Sequence, residues 1–542
     1  MAFTGHADTF ARDRLPSPQA MPDVLCDLPE LRFPERLNAA AALLDRNVDA
    51  GNAARRCVVA PGGFEWTYAQ LLAAANRIAQ VLVHDYALVP GNRVLLRAPN
   101  TPLLAACWLA VLKAGGIVVT TMPLYRAAEL RYMIEKARVN LVLCDWRLRD
   151  EIVSACQGLD GVGIAYAGSG DSDDLERRMA EKSGAFANVE TGALDVAIVA
   201  FTSGTTGTPK AAMHYHRDLL ATCASYGARV LQPARDDLFC GSAPLGFTFG
   251  LGGHLLFPLY AGAATLLLEK AGAEDLLRAV DEFGVTTLFT APIAYRTMCA
   301  QAGRYDLSSL RTCVSAGETL PRSVWESWHA ATGHKILDGI GSTEMLHIFV
   351  GSPQAGARAG STGRVVPGYV AEVHDDDGRP VPNGTVGRLA VKGPTGCKYL
   401  DDGRQATYVR NGWNYPGDAY RMDDDGYFWY VARTDDMIVS AGYNISGPEV
   451  EQVLMAHARV KEVAVVAKPD LVKETHVVKA FVVLGDGVVA SDALADELRD
   501  FCKDRIASFK APREVEFVDE LPRTETGKVQ RYKLRRIAAG EG

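Results

Sequence analysis

The 542-residue chain has eleven cysteines, but no two are close enough to form a C-x-x-C pair. The odd, scattered set reads as small apolar residues in a reducing compartment. An excess of positive charge is also missing. There are 57 Lys and Arg against 65 Asp and Glu, a formal net charge of −8. DNA and RNA are therefore poor default partners, whereas an anionic small ligand can still find a locally positive site. No apolar core follows Met1, so no secretory signal is expected and the expected location is cytoplasmic. Internal repeats and low-complexity linkers are absent. Hydrophobic residues make up 48% and charged residues 23%, which argues against disorder or coiled coil as a description of the whole chain.

Leu238 to Leu268 has no Asp, Glu, Lys or Arg and is long enough to span a bilayer. Six glycines, Pro244 and Pro258 interrupt it, so a buried sheet-and-loop segment is expected and no membrane partner. At roughly 150 residues per domain the length implies several units. Arg93–Arg97, Ile117–Thr121 and Leu141–Cys144 read as strands; Leu103–Lys113 and Glu129–Ala137 read as helices. That alternation predicts parallel βαβ units, repeated over Thr191 to Ile348. From Arg364 the pairs Asp377-Gly378, Asn383-Gly384, Asp402-Gly403, Asn411-Gly412 and Asp425-Gly426 predict a hairpin-built β-rich segment. The last hundred residues read as a small α+β unit. It has helices at Pro448–Ala456 and Asp496–Ile506, strands at Val463–Ala467, Val477–Leu484 and Glu514–Val518, and a basic tail.

The most informative segment is Asp195-Val-Ala-Ile-Val-Ala-Phe-Thr-Ser-Gly-Thr-Thr-Gly-Thr-Pro-Lys210. An apolar strand enters a loop of Gly, Ser, Thr and Pro closed by one Lys. Gly204 and Gly207 let backbone N–H groups converge on an anion. Thr202, Ser203, Thr205, Thr206 and Thr208 add hydroxyl donors, and Lys210 adds a point charge. The spacing is not that of a Walker loop.

This loop resembles the signature of the acyl-adenylate-forming superfamily, which includes acyl-CoA synthetases, adenylation domains of peptide synthetases and firefly-type luciferases. Further motifs follow in the family's order: Ser315-Ala-Gly-Glu318, Asp338-Gly-Ile-Gly-Ser-Thr-Glu344, Tyr415-Pro-Gly-Asp418, Arg433-Thr-Asp-Asp-Met-Ile-Val-Ser-Ala-Gly442 and Leu521-Pro-Arg-Thr-Glu-Thr-Gly-Lys528. The resemblance spans nearly the whole chain. It implies an α/β fold, with a large N-terminal domain (residues 1–434) of βαβ layers plus a β-rich subdomain. A small mobile C-terminal α+β domain (residues 435–542) carries the catalytic lysine.

The implied activity joins a carboxylic acid to coenzyme A through an acyl-adenylate, using ATP and Mg²⁺. Charge builds on phosphate oxygens in the first step, so placed cations matter most. The resemblance assigns Lys528 to that step, Thr343 to the α-phosphate and Glu344 to Mg²⁺, a hard-oxygen site. It places Gly317, Glu318, Asp338, Gly339, Ile340, Gly341 and Ser342 around the nucleotide. Asp418 would accept from both ribose hydroxyls, with Arg433 beside it. Asp435 would be the hinge about which the small domain turns, bringing Ser440–Asn444 to the acyl carbonyl. Gly442 and Tyr443 would line the CoA tunnel. Two departures stand out: Ile340 replaces the usual Tyr that stacks on adenine, and Asp338 replaces the usual Asn. In this reading Asp338 accepts but does not donate.

The acyl pocket is expected to use Phe247, Thr248, Phe249, Ser315 and His347. In amino-acid-activating members an Asp follows the pocket Phe; Thr248 stands there, which argues against an amino acid. The run Asp338–Phe349 is similar to benzoate- and 2-aminobenzoate-CoA ligases. Phe247 and Phe249 would flank a flat ring. Benzoate-type ligases carry Ala then Tyr where this chain has Thr248 and Phe249, so a substituted benzoate, 2-aminobenzoate first, is expected to serve at least as well as benzoate. No carrier-protein segment follows residue 542, so CoA is the expected acceptor. The alternatives are a short- or medium-chain fatty acyl-CoA synthetase, a carrier-loading adenylating enzyme and a non-catalytic nucleotide-binding regulator. The resemblance also allows a homodimer, and a lysine acetyltransferase acting on Lys528.

Overall fold

Helix Pro102–Lys113 shows how the sequence builds the centre of the molecule. Thr101 Oγ1 caps it by accepting from the Leu104 N–H at 3.1 Å, and Pro102 occupies its first turn. Gly115, with φ +73°, ends it. Every residue from Leu104 to Lys113 is buried, because the helix touches strands of both large sheets. The price of an all-buried helix is Lys113, whose ammonium reaches both oxygens of Asp45 at 2.7 Å. Burial pulls the Lys113 pKa down, and Asp45 opposes that shift.

This computed structural model describes residues 3–202, 209–440, 443–470, 475–506, 508–523 and 527–540. The first large sheet runs Gly163–Ala167, Leu141–Asp145, Arg93–Arg97, Ile117–Thr120, Val196–Thr202, Lys210–Tyr215. All neighbours are parallel except the last pair, which is antiparallel. The second has a parallel centre of Ile336–Gly341, Thr312–Ser315, Thr287–Thr290, Leu238–Gly241, Ala264–Leu266 and Arg56–Ala60. Antiparallel strands extend both of its edges. The expected βαβ layers are thus present, and the charge-free stretch becomes a strand, a continuous helical run over residues 248–261 where a loop was expected, and a second strand. Among the described residues no helix is long and apolar enough to cross a membrane.

An antiparallel sheet follows, centred on Gly387–Lys392 and Asp418–Met422. Asn411 and Gly412, at φ +50° and +77°, form the two-residue turn between Val409–Arg410 and Trp413–Asn414. Asp402-Gly403 makes no strand hairpin; it leads into the helical turn Gln405–Tyr408. The Asp402 side chain accepts from the Arg404 backbone N–H at 2.9 Å, so the local bond starts a helix instead.

From Ile438 onward the chain has its own cores. Val460–Asp470 and Thr475–Leu484 pair antiparallel, and Glu514–Phe517 joins the second strand in parallel. Val465, Ala480 and Leu498 pack on one face; Val466, Phe481 and Leu534 pack on the other, as a period of two requires.

Candidate functional site

Thr202 and Lys210 stand opposite each other in register at the end of an antiparallel pair. Ser203, Gly204, Thr205, Thr206, Gly207 and Thr208 lie outside the described residues. Thr202 Oγ1 is buried with no partner among the described residues. Lys210 Nζ lies 3.6 Å from Glu344 Oε1 and over the rings of Tyr399 and Tyr408, at 5.0 and 5.9 Å. Glu344 is buried and accepts from the Tyr399 hydroxyl. The Tyr399 phenol pKa rises, first through burial and then through Glu344.

Glu344 sits in a compact turn, Ser342 to His347. Ser342 Oγ accepts from the Met345 N–H at 3.2 Å and pairs with the Tyr408 hydroxyl at 2.9 Å. Leu346 takes φ +69°, rare for a side chain of that bulk. The strand Ile348–Gly351 then folds straight back on Ile336–Gly341. A Cβ on Gly341 would meet the His347 carbonyl at 2.7 Å, so only glycine admits the return there.

Ser315 and Asp338 are register partners on adjacent parallel strands. Ser315 Oγ and Asp338 Oδ1 are both buried without partners among the described residues. Burial raises the Asp338 pKa well above the carboxylate range, with the Gly339 N–H opposing. Ile340 is half-buried and packs against the main core, while Gly317 (φ +90°) and Glu318 lie exposed.

Asp418 and Arg433 face each other across paired strands, with Nη1 donating to Asp418 Oδ2 at 3.0 Å and to the Pro416 carbonyl at 3.1 Å. Gly417 sits at φ +86°, where a Cβ would also strike Arg433 Nη2 at 2.9 Å. Burial raises the Asp418 pKa, and Arg433 and Lys528 lower it. Lys528 comes from the C-terminal unit and follows Gly527, whose carbonyl accepts from Arg523 Nη1 at 2.6 Å. The residue is exposed, yet its ammonium is partly desolvated, and that lowers its pKa. Glu318 and Asp418 pull it back up, and Arg433 pushes it down. Lys528 therefore feels the charges of Glu318, Asp418 and Arg433 together. The side chains of Asp435 and Tyr443, and the whole of Gly442, lie outside the described set.

The expected acyl-pocket residues divide. Phe249 joins an aromatic cage around His347, at 5.9 Å between ring centroids. Phe257, Tyr226 and Phe289 complete the cage at 4.6, 5.3 and 6.5 Å. Phe247 packs instead against the core beneath the first sheet, so the two phenylalanines do not share one cluster. Both His347 ring nitrogens are buried without hydrogen bonds among the described residues; the Phe249 backbone approaches without a hydrogen bond's geometry. Burial lowers the His347 pKa to about 3, so the ring is neutral. Thr248 is half-buried on the first helical position of Thr248–Leu251.

Tyr399, Tyr408, Tyr226, Phe257 and Phe289 were missed by the sequence reading. None lies in a motif: Tyr226, Phe257 and Tyr408 come from helical segments, Phe289 from a strand and Tyr399 from the stretch beside Lys210–Tyr215, and tertiary packing brings them to the site. Among the described residues no group of three acidic, His or Cys side chains could cage a metal. A lone buried carboxylate next to the loop lysine still suits Mg²⁺, which takes one or two carboxylates together with substrate phosphates.

Comparison with known proteins agrees with this geometry. The AMP-binding enzyme family matches residues 44–399, and the AMP-binding enzyme C-terminal domain matches residues 449–528. Benzoate–CoA ligase of Thauera aromatica is 34% identical over 520 residues, covering 94% of this chain and 97% of that protein. The solved structure of the anthranilate CoA ligase AuaEII in complex with anthranoyl-AMP matches with a TM-score of 0.87 at 33% identity, over 94% of this chain and 99% of that one. A benzoate CoA ligase from Burkholderia xenovorans LB400 matches with a TM-score of 0.83 at 33% identity, over 92% and 100%. The chain belongs to the AMP-binding enzymes, within the acyl-adenylate-forming superfamily, and is an AMP-forming acid–CoA ligase.

Proposed function

We propose that the acid is aromatic, of the benzoate or 2-aminobenzoate type. The observation that carries this is the cage of Phe249, Phe257, Phe289 and Tyr226 around a neutral, partnerless His347. Aromatic walls favour a flat ring by edge and face contacts. Partnerless polar atoms at the same place favour a ring that brings a donor or an acceptor, because each unsatisfied buried group costs about 1–3 kcal/mol. The relatives named for benzoate and anthranilate support the same class.

The carboxylate attacks the ATP α-phosphate; the acyl–O–P bond forms and pyrophosphate leaves. Lys528 supplies positive charge where the phosphate oxygens gain negative charge. The loop from Thr202 to Lys210 holds the departing phosphates, and Thr343 meets the α-phosphate. Asp418, oriented by Arg433, accepts from the ribose hydroxyls. Glu344 would hold Mg²⁺, which would supply neutralisation of phosphate charge. The CoA thiol then attacks the acyl carbonyl and releases AMP, with the small domain turned about Asp435 so that Gly442 and Tyr443 flank the pantetheine arm.

The test is pyrophosphate release with ATP, Mg²⁺ and CoA across benzoate, 2-aminobenzoate, 2-fluorobenzoate, butyrate and hexanoate. Aromatic acids at the top of the ranking support the proposal. A strong preference for hexanoate or butyrate refutes it, and turnover that ignores CoA refutes the acceptor.

A further inference from the structure

Strand Lys210–Tyr215 does more than close the phosphate loop. Residues 210, 212 and 214 share one of its faces, and each meets the Thr343–Glu344 unit or its partner. Lys210 approaches Glu344. Ala212 bridges to Tyr399, whose hydroxyl donates to Glu344. His214 Nε2 lies 2.7 Å from the Thr343 carbonyl. A carbonyl only accepts, so Nε2 carries the proton. The Leu346 N–H is the second donor to the same oxygen, at 3.2 Å, and both lone pairs of the Thr343 carbonyl are then used.

Behind His214 stands a buried ion pair. Lys398 Nζ donates to Asp218 Oδ2 at 2.9 Å and to the Gly396 carbonyl at 2.9 Å. Asp218 also accepts from the Tyr215 N–H at 3.0 Å, and its Oδ2 lies 3.8 Å from His214 Nδ1. His214, Asp218 and Lys398 are all buried. The same stretch that supplies Lys398 runs alongside the strand, with Met213 N–H donating to the Lys398 carbonyl at 2.7 Å and Leu400 N–H donating to that of Ala211 at 2.8 Å. Lys398 thus braces the back of the strand while Tyr399 reaches Glu344 at the front. Burial lowers the His214 pKa, so the imidazole is neutral.

We infer that His214 is a positioning residue for adenylation: its Nε2–H, with the Leu346 N–H, fixes the peptide plane between Thr343 and Glu344 and so aims both side chains at the phosphates. This rests on the proposed roles of Thr343 and Glu344. A peptide plane that rotates moves both side chains at once, and small misplacement is costly in a preorganised site. Gln can return an N–H to the same carbonyl, whereas Leu cannot.

The two half-reactions of His214→Leu, His214→Gln and Glu344→Gln separate the outcomes. Acyl-adenylate formation is measured without CoA, and thioester formation from synthetic acyl-adenylate with CoA. The expected result for His214→Leu is a loss of about 3- to 10-fold in kcat for adenylation, the range for losing one of the two hydrogen bonds to a buried carbonyl. Its ATP KM and its thioester step stay within about twofold of wild type, and His214→Gln recovers most of the loss. Wild-type adenylation in His214→Leu overturns the inference, as does an equal fall in both half-reactions or a failure of Gln to rescue. Glu344→Gln reports on the underlying reading. If it adenylates normally, the assignment of Glu344 fails; if it is impaired while His214→Leu is not, only the positioning role fails.

Discussion

Gly252 stands beside the pocket histidine with a helical backbone, φ −60°, so its lack of a side chain serves close approach and not conformation. A Cβ there would lie 2.4 Å from His347 Cδ2 and 2.5 Å from Nε2, where ordinary contact begins at 3.4 Å. The backbone of His347 is pinned, because Gly341 pairs with Ile348 next to it. The imidazole must therefore retreat by about 1 Å, into Phe257 and Tyr226, a displacement that costs on the order of a hundredfold when it reaches reacting groups. Overpacking costs about 1–3 kcal/mol, and alanine in a helix returns about 1 kcal/mol. Gly252→Ala is thus expected to lose 0–2 kcal/mol of stability, by about that difference, while kcat/KM for the best acid falls about tenfold or more. The change falls mainly on the acid KM. Gly227→Ala is the matched control: its Cβ would lie 3.1 Å from Phe257 Cδ1, needs only a few tenths of an ångström, and is expected to stay within about threefold of wild type. Steady-state kinetics with the acid varied at saturating ATP, alongside thermal melts, measures both. An unchanged acid KM in Gly252→Ala, or equal damage in the two variants, refutes the steric argument.

Lys528→Ala is expected to stop adenylation while sparing the thioester step from supplied acyl-adenylate, and Gly442→Leu to do the reverse; equal loss of both half-reactions in either variant contradicts the division of labour. Thr248→Ala is expected to lower the ratio of kcat/KM for 2-aminobenzoate over benzoate, by about fivefold or more if the hydroxyl bonds the substituent; an unmoved ratio ends that idea. Because desolvation lowers the Lys528 pKa, its charge is present below that pKa and is lost as pH rises through it, below the ordinary lysine range. At pH 8 a larger neutral fraction should let an acetylating reagent modify Lys528 ahead of solvated lysines such as Lys461, with adenylation lost in step. Mass spectrometry that finds Lys528 unmodified, or acetylated enzyme at full activity, argues against it.

The motifs were legible because their chemistry is local. Strand Arg93–Arg97 is the one expected, and helix Pro102–Lys113 begins one residue before the run Leu103–Lys113, since cap and apolar pattern agree there. The aromatic cage was not legible, because Tyr226 and Phe257 sit on separate helical segments, Phe289 on a strand and His347 in a turn, and these meet only in the tertiary packing. The pairing of Phe247 with Phe249 could not be judged from spacing. Phe247 precedes the short helix Thr248–Leu251 and Phe249 lies inside it, so they leave on different sides. Asp338 illustrates a third limit: its side chain is plain in the sequence, but its protonation depends on burial that only packing supplies.

The turn from Ser342 to His347 holds Glu344 and the pocket histidine three residues apart, locked by Leu346 at φ +69° and the tight return at Gly341. On the proposed assignments, acid selection and phosphate chemistry are thus coupled through this turn. A lineage drifting toward a new acid cannot explore position 347 without shaking the carboxylate beside it. Thr248 lies outside that turn and outside the cage around His347, so on the same assignments it is the position where substrate range can diversify at low cost to turnover.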